Sequence, residues 1–263
     1  MRTFFITGGC GFIGRNLINK LSEDPDNFYF PYESNVCEEI KIKNDFDIIY
    51  HLAANTDTRF PNDIEMFENN IRSFLQIIKF TLKNDKSKLI YASSASQYGN
   101  YKKTAYAISK IVCDDLAKFF FDKIKIVGLR FFNVFGKYES KKGKMASMIT
   151  QWKEQLKNNE RPTCFSEGRQ VKRDHIYVKD VVKALVMAQK LKNGIYDVGS
   201  GKSTSFDEVL KLVQKTLGTH KKPNFIPNPY LASYQKFTKA NLNWGFKPDF
   251  TLQEGIKDYF QNY

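Results

Sequence analysis

Apolar positions in the first half of the chain follow two alternating periods. Short runs at Thr3–Thr7, Phe28–Phe30, Phe46–Leu52, Leu89–Ala92 and Ile124–Leu129 have the length and the β-branched or aromatic content of buried strands. Between them, Phe12–Leu21 and the series Ile71, Phe74, Leu75, Ile78 and Leu82 repeat at helical spacing. Another helix starts near Tyr106 and carries Ile108, Ile111, Val112 and Phe119. Strands alternating with helices predict an α/β fold, a Rossmann-like doubly wound parallel sheet with helices on both faces.

Beyond Gly136 the pattern loosens into helices and short strands, with a lysine-rich stretch at Lys137–Lys144 and a Pro/Asn-rich one at Lys221–Pro229. The expected organisation is a dinucleotide-binding domain over 1–135, a return segment near 173–191, and a smaller C-terminal substrate-binding lobe over 136–263. No internal repeat or low-complexity linker is visible, and 263 residues suffice for a full core.

The net charge of +13 raises the question of nucleic acid, yet the lysines are spread along the chain rather than gathered in one arm. A solvated basic surface is the reading, with no nucleic-acid partner; such a surface also concentrates an anionic substrate. Cys10, Cys37, Cys113 and Cys164 lack metal-like spacing, so free thiols in a reducing compartment are expected and no metal site. Apolar runs fall short of membrane-spanning length, and Met1–Thr7 reads directly as a strand rather than as a signal peptide. The expected setting is cytoplasmic, away from the membrane.

Chemistry concentrates in two places. Thr7-Gly8-Gly9-Cys10-Gly11-Phe12-Ile13-Gly14 lies between the first strand and the first helix. There Gly8 permits a tight turn, Gly11 lets the backbone approach a pyrophosphate, and Gly14 permits close helix packing. The free N–H groups of the helix start, at Phe12 and Ile13, complete an anion site. Glu33, nineteen residues past Gly14, stands where an acid often holds the adenosine ribose, although its segment contains Pro31 and a solvated glutamate reads equally well.

The second place is Tyr106 and Lys110, one helical turn apart and so on one face. A tyrosine becomes a useful acid/base when its phenolate is stabilised, and an adjacent ammonium beside a bound dinucleotide does that. Tyr91-Ala92-Ser93-Ser94-Ala95-Ser96-Gln97-Tyr98-Gly99 precedes the pair, beginning on a strand and ending in a turn. For Ser94 the alternative is a serine that caps the strand end. His51, inside a strand run, reads as packed rather than catalytic.

Together with the glycine loop and His51-Leu52-Ala53-Ala54, these segments resemble the extended short-chain dehydrogenase/reductase superfamily. In the second half, Leu129-Arg130-Phe131-Phe132-Asn133-Val134-Phe135-Gly136, Lys142-Gly143-Lys144-Met145-Ala146-Ser147, Lys172-Arg173-Asp174-His175-Ile176-Tyr177-Val178 and Tyr234-Gln235-Lys236-Phe237-Thr238 resemble the ADP-glycero-manno-heptose 6-epimerases, which make the heptose precursor of bacterial lipopolysaccharide.

The resemblance implies an NAD(P)-dependent nucleotide-sugar epimerase working through a transient keto sugar. It assigns Tyr106 as acid/base, Lys110 as its stabiliser, Ser94 to the reacting oxygen and Lys142 as a second acid/base on the opposite sugar face. Asn133, Lys142, Arg173, Ser94 and Tyr234 would contact a nucleotide-diphosphate sugar. Gly8, Gly11, Phe12, Ile13, Gly14, Glu33, Leu52, Ala53, Ala54, Asn70, Tyr106 and Lys110 would hold the dinucleotide. The family points to NADP and to a homo-oligomer; Glu33 points to NAD. Alternatives stay open at individual residues: Lys142 lies in a charge-rich loop where a lysine is readily solvated, Arg173 could pair with Asp174, and Asn70 could simply serve a helix start.

Two departures separate the chain from these epimerases. Phe28–Ile48 is short enough to lack a strand-helix unit, which affects adenine and 2′-phosphate recognition. Only 12 residues lead from Ser94 to Tyr106, where a longer sugar-site loop is usual in the extended members. The remaining readings are another nucleotide-sugar 4-epimerase or keto-sugar reductase of the superfamily, and, in a different class, a non-catalytic dinucleotide-binding regulator. A 4,6-dehydratase fits less well, because the acidic pair it would need near Ser94–Ser96 is absent.

Overall fold

The computed structural model describes residues 2–42, 44–58, 62–99, 103–167 and 171–262. The chain opens with β1 (Arg2–Thr7), α1 (Phe12–Leu21), β2 (Asn27–Tyr32), β3 (Ile48–His51), α2 (Asp63–Lys83), β4 (Lys88–Ser94), α3 (Ala105–Phe119) and β5 (Lys125–Phe131). It continues through β6 (Asn133–Phe135), α4 (Met148–Lys157), β7 (Thr163–Phe165), β8 (Lys172–Tyr177), α5 (Val178–Ala188) and β9 (Gly194–Val198). The last elements are β10 (Ser203–Ser205), α6 (Phe206–Leu217), β11 (Asn224–Ile226) and α7 (Leu252–Asn262).

A six-stranded sheet runs in the order β2-β1-β3-β4-β5-β9. Its pairs β1–β2, β1–β3, β3–β4 and β4–β5 are parallel, as the alternation of periods predicts. Central strands are apolar on both faces: Phe5, Ile49, Leu89 and Ile126 pack with Phe74, Ile77, Cys113 and Ala117 of α2 and α3. On β3, Tyr50 is buried and donates its hydroxyl to the Leu185 carbonyl of α5 at 3.2 Å.

The strand at the sheet edge is longer than the sequence pattern suggests. β2 runs through Pro31, which pairs in register with Ile6, to Tyr32. An edge strand tolerates a proline because the ladder on its open side needs no donor. Among the described residues, no helix or strand lies between Tyr32 and Ile48.

Two compact units emerge from the packing. One comprises Met1–Gln97, Lys103–Phe131 and Val182–Tyr196; the other comprises Tyr98–Lys102, Phe132–Val181 and Asp197–Tyr263. The sequence places the return near 173–191, whereas the returning segment of the first unit is 182–196, and the strand it brings to the sheet is β9. β8, which carries His175, belongs instead to a small sheet in the second unit, antiparallel to β10 and parallel to β6. A two-stranded parallel pair, β7 with β11, lies in the same unit. Ser205 caps α6 with a full capping box, its hydroxyl accepting from the Glu208 N–H while the Glu208 side chain accepts from the Ser205 N–H.

No helix among the described residues is long and apolar enough to cross a membrane.

Candidate active site

In the first unit the glycine loop joins β1 to α1. Gly8 has φ +70°, and a β-carbon there would come within 2.7 Å of the Ala53 backbone nitrogen. At Gly14 a β-carbon would meet the Gly8 carbonyl oxygen at 2.2 Å, so both positions exclude any side chain. Gly11 donates its N–H to the Gly8 carbonyl at 3.0 Å and caps α1 in an extended conformation. A β-carbon on Gly11 would have only that carbonyl within 4 Å, leaving the backbone bare on its other side.

No side-chain cap and no acidic residue occupies the first turn of α1, where Phe12 and Ile13 stand. Its N–H groups and positive dipole end are thus available to an anion. This cradle fits the pyrophosphate of a dinucleotide.

The rim of that cradle comes from β2 and β3. Glu33 directly follows β2, exposed, and its Oε1 would lie 3.6 Å from a β-carbon on Gly9. Hydrogen bonding to Glu33 holds the exposed Cys10 thiol above its ordinary pKa. Leu52, Ala53 and Ala54 follow β3, with Leu52 N–H on the Thr7 carbonyl at 3.1 Å and Ala53 N–H on Thr7 Oγ1 at 3.3 Å. His51 is packed: its Nδ1 lies 2.8 Å from Thr7 Oγ1, and burial, aided by the Lys110 charge, pushes its pKa down to about 3.

Asn70 spends both of its amide donors within the fold. On α2, its amide donates to the Asn55 carbonyl at 3.0 Å and to Ser109 Oγ at 3.1 Å, while its oxygen accepts from the Asn55 N–H at 2.8 Å. Ser109 in turn donates to the Tyr106 carbonyl at 2.8 Å. Asn70 therefore ties the loop after β3 to the first turn of α3.

Thr104 caps α3 by accepting from the Ala107 N–H. This start puts Tyr106, half-buried, in the first turn and Lys110 one turn later. Lys110 is only 4% exposed. Its Nζ donates to the Ala92 carbonyl on β4 at 2.9 Å and lies 5.9 Å from the centroid of the Tyr106 ring. A buried ammonium needs such partners, and here it is fixed beside the phenol. Ser94 ends β4, two residues beyond Ala92 and so on the same face of the strand, and its Oγ accepts from the Ser96 N–H at 3.1 Å.

Sequence reading misses the residues that hold this frame. Asp114, 1% exposed, accepts from the Tyr91 hydroxyl at 2.8 Å, from Gln97 Nε2 at 2.8 Å and from Arg130 Nε at 2.9 Å. The available signal was an acid on the buried stripe of α3, between Cys113 and Ala117 and one turn past Lys110.

In the second unit, Arg173 donates from Nη1 to Gln235 Oε1 at 2.6 Å, and its guanidinium lies 5.2 Å from the centroid of the Tyr234 ring. Arg173 and Asp174 are neighbours on β8 and face opposite sides, so the Asp174 carboxylate is used elsewhere. It accepts from Ser200 N–H and hydroxyl at 2.6 and 2.7 Å, from Gly201 N–H at 2.9 Å and from Ala240 N–H at 2.9 Å. Tyr234 and Gln235 line an open groove of about 770 Å³ with Tyr98, Lys236, Phe237 and Thr238. Asn133 begins β6 and pairs in register with His175, two residues past Arg173.

Lys142 is exposed in the 3-10 segment Glu139–Met145. That segment is closed at its base by Glu139, a buried carboxylate that accepts from Ser147 N–H at 2.7 Å, Ser147 hydroxyl at 2.8 Å and Thr150 hydroxyl at 2.5 Å. Burial raises the Glu139 pKa, while these donors and the Lys142 charge act to lower it.

A family model described as the NAD dependent epimerase/dehydratase family matches residues 4–199. Among solved structures, the ADP-L-glycero-D-manno-heptose-6-epimerase of Helicobacter pylori is 29% identical, with a TM-score of 0.89 over 98% of this chain and 95% of that one. The UDP-glucose 4-epimerase of Thermotoga maritima, solved with UDP-glucose, is 23% identical, with a TM-score of 0.88 over 98% and 97% of the two chains. A UDP-N-acetylglucosamine 4-epimerase from Methanobrevibacter ruminantium, in complex with UDP-N-acetylmuramic acid, is 24% identical, with the same TM-score over the same shares. The last two likenesses carry the fold alone.

Proposed function

The chain belongs to the NAD-dependent epimerase/dehydratase family, and we propose that within it the protein inverts carbon 6 of an ADP-linked glycero-manno-heptose. The observation that carries the catalytic part is the buried Lys110 ammonium, bonded to the Ala92 carbonyl and held beside the Tyr106 ring. A binding protein has no use for that arrangement, since dinucleotide affinity alone requires no stabilised phenolate. The choice of sugar rests on the end-to-end likeness to the Helicobacter pylori epimerase and on Asn133, Lys142, Arg173 and Tyr234. Such an activity would supply the heptose precursor of bacterial lipopolysaccharide.

A bound nicotinamide dinucleotide supplies a reversible hydride acceptor. Tyr106 is the acid/base on one sugar face, taking the hydroxyl proton as the hydride leaves, with the Lys110 charge stabilising the phenolate. Ser94 donates to the same oxygen. Lys142 serves as acid/base on the opposite sugar face, Arg173 grips the diphosphate through its planar fork of donors, and Asn133 offers both donor and acceptor to the nucleotide sugar. Gly8, Gly11 and Gly14 admit the pyrophosphate, and Phe12 and Ile13 give it backbone N–H groups.

Glu33 favours NAD over NADP: a carboxylate at the rim of the glycine cradle accepts from ribose hydroxyls and repels a 2′-phosphate. Self-association into a homo-oligomer goes with this reading, and light scattering of the purified chain tests it. For the function itself, the test is NMR of ADP-heptose beside a panel of UDP-, GDP- and dTDP-sugars, with no external cofactor added. Inversion at carbon 6 of ADP-heptose is expected, together with a loss of at least ~100-fold in Tyr106→Phe, the scale of a removed general acid/base. Inversion of carbon 4 in a UDP-sugar instead would move the protein to the 4-epimerases.

A further inference from the structure

Asp114 lies outside the catalytic assignments, yet it touches three elements of the catalytic frame. One carboxylate oxygen, Oδ1, accepts from the Tyr91 hydroxyl on β4 at 2.8 Å. The other, Oδ2, accepts from Gln97 Nε2 at 2.8 Å and from Arg130 Nε on β5 at 2.9 Å. Gln97 Nε2 also donates to the Ser94 carbonyl at 3.0 Å. One side chain on the helix that carries Tyr106 and Lys110 thus holds the turn that carries Ser94, through a single amide.

The environment is built for this contact. Asp114 and Tyr91 are both about 1% exposed, so the carboxylate has no water to fall back on and must keep its donors. Tyr91 pairs in register with Gly128 of β5, and a β-carbon at 128 would meet the phenolic oxygen at 2.5 Å. Glycine at that position is what lets the phenol lie across β5 and reach Asp114. Arg130, two residues further along β5, points to the same face and brings the neutralising charge.

We propose that Asp114 is a positioning residue: through Gln97 it fixes the Ser94 turn against the helix bearing Tyr106 and Lys110, and so sets the alignment of hydroxyl, phenol and ammonium. The inference rests on the reading of Ser94, Tyr106 and Lys110 as the catalytic set. Alignment matters steeply, because a displacement of about 1 Å at reacting groups costs on the order of 100-fold in rate.

The test compares Asp114→Asn, Asp114→Glu and Gln97→Ala in the wild-type and Ser94→Ala backgrounds, reading kcat, KM, retained dinucleotide and Tm. Gln97→Ala removes only the bridge and leaves the buried Asp114–Arg130 pair intact, so it reports even where Asp114→Asn folds poorly. Expected for Gln97→Ala is a drop in kcat of roughly tenfold or more, with KM and bound dinucleotide unchanged and Tm lower by only a few degrees. Asp114→Asn should lose at least as much and Asp114→Glu should recover part of it. In the Ser94→Ala background the further loss from Gln97→Ala should shrink to within about threefold, as expected for groups acting as a unit. Lower Tm with undiminished kcat, or the same fold-loss in both backgrounds, overturns the positioning role. Full activity in Ser94→Ala alone overturns the catalytic set, and this inference with it.

Discussion

Tyr91 and Gly128 face each other across β4 and β5, and the phenolic oxygen occupies the space a β-carbon on residue 128 would need, 2.5 Å away. Tyr91 is also packed on Phe74, with ring centroids 4.8 Å apart, so it has little room to retreat. Gly128→Ala should therefore cost about 1–3 kcal/mol, the range for overpacked cores, and lower Tm by several degrees. Tyr91→Phe in the same background should not restore it, because the ring carbons Cζ and Cε1 would still lie 2.6 and 2.9 Å from the new β-carbon and Asp114 would lose a donor. Calorimetry of the wild type and the two variants checks this; an unchanged Tm in Gly128→Ala would mean that the ring moves freely.

Lys142 stands exposed on a segment pinned by Glu139. If it serves one sugar face and Tyr106 the other, Lys142→Ala should leave single-turnover oxidation of one C6 epimer nearly intact and slow the other by at least ~100-fold. Absorbance of the reduced nicotinamide, followed with each epimer separately, distinguishes them. Equal rates for both epimers at the wild-type level would return Lys142 to the solvent.

Two buried histidines should weaken the fold in acid. Burial pushes the pKa of His51 and of His175 down to about 3 in the folded chain, against about 6.5 when unfolded. Both are neutral in the native state, so between about pH 6.5 and 3 the unfolded chain binds more protons and stability falls as pH falls. Above pH 6.5 their contribution is complete; below it each costs up to about 1.4 kcal/mol per unit of pH. Among the described residues the His175 nitrogens have no hydrogen-bond partner, and its ring packs against Phe206 with centroids 5.8 Å apart. His175→Phe should hold or raise Tm at pH 7.5 and flatten its decline towards pH 5. A wild-type Tm independent of pH over that interval would contradict this.

Coenzyme choice is open to a single substitution. Glu33 is exposed at the cradle rim; if it selects NAD, Glu33→Gln should fold normally and shift the ratio of NAD to NADP affinity towards NADP by about tenfold or more, the scale of about 1.5–3 kcal/mol for a hydrogen bond to a charged group. Titration of both dinucleotides by calorimetry measures the ratio; no change would take Glu33 out of the cofactor site.

Local signals made the first half of the chain readable. α1 spans Phe12–Leu21 as its periodicity predicts, and the glycine loop announced itself because only glycine tolerates the close approaches at 8 and 14. The strand pattern stops at Phe30 because Pro31 interrupts it, whereas a place at the sheet edge lets β2 continue to Tyr32. In the second half, β6, β7, β10 and β11 are three residues each and exist only through pairing with distant segments, so no period marks them. Tyr106, Lys110 and Ser94 were legible as a spacing. The contacts among Tyr91, Gln97, Asp114 and Arg130 were not, because a buried polar network is defined by burial rather than by pattern.

Reversible oxidation without net turnover of cofactor is the central claim, and isotope retention tests it most directly. ADP-heptose carrying deuterium at carbon 6 is incubated with the purified protein in ordinary water, with no dinucleotide added, and followed by NMR. The expected result is an equilibrium mixture of the two C6 epimers with deuterium retained at carbon 6 in both. Absence of inversion, or washout of the label into solvent, would contradict it.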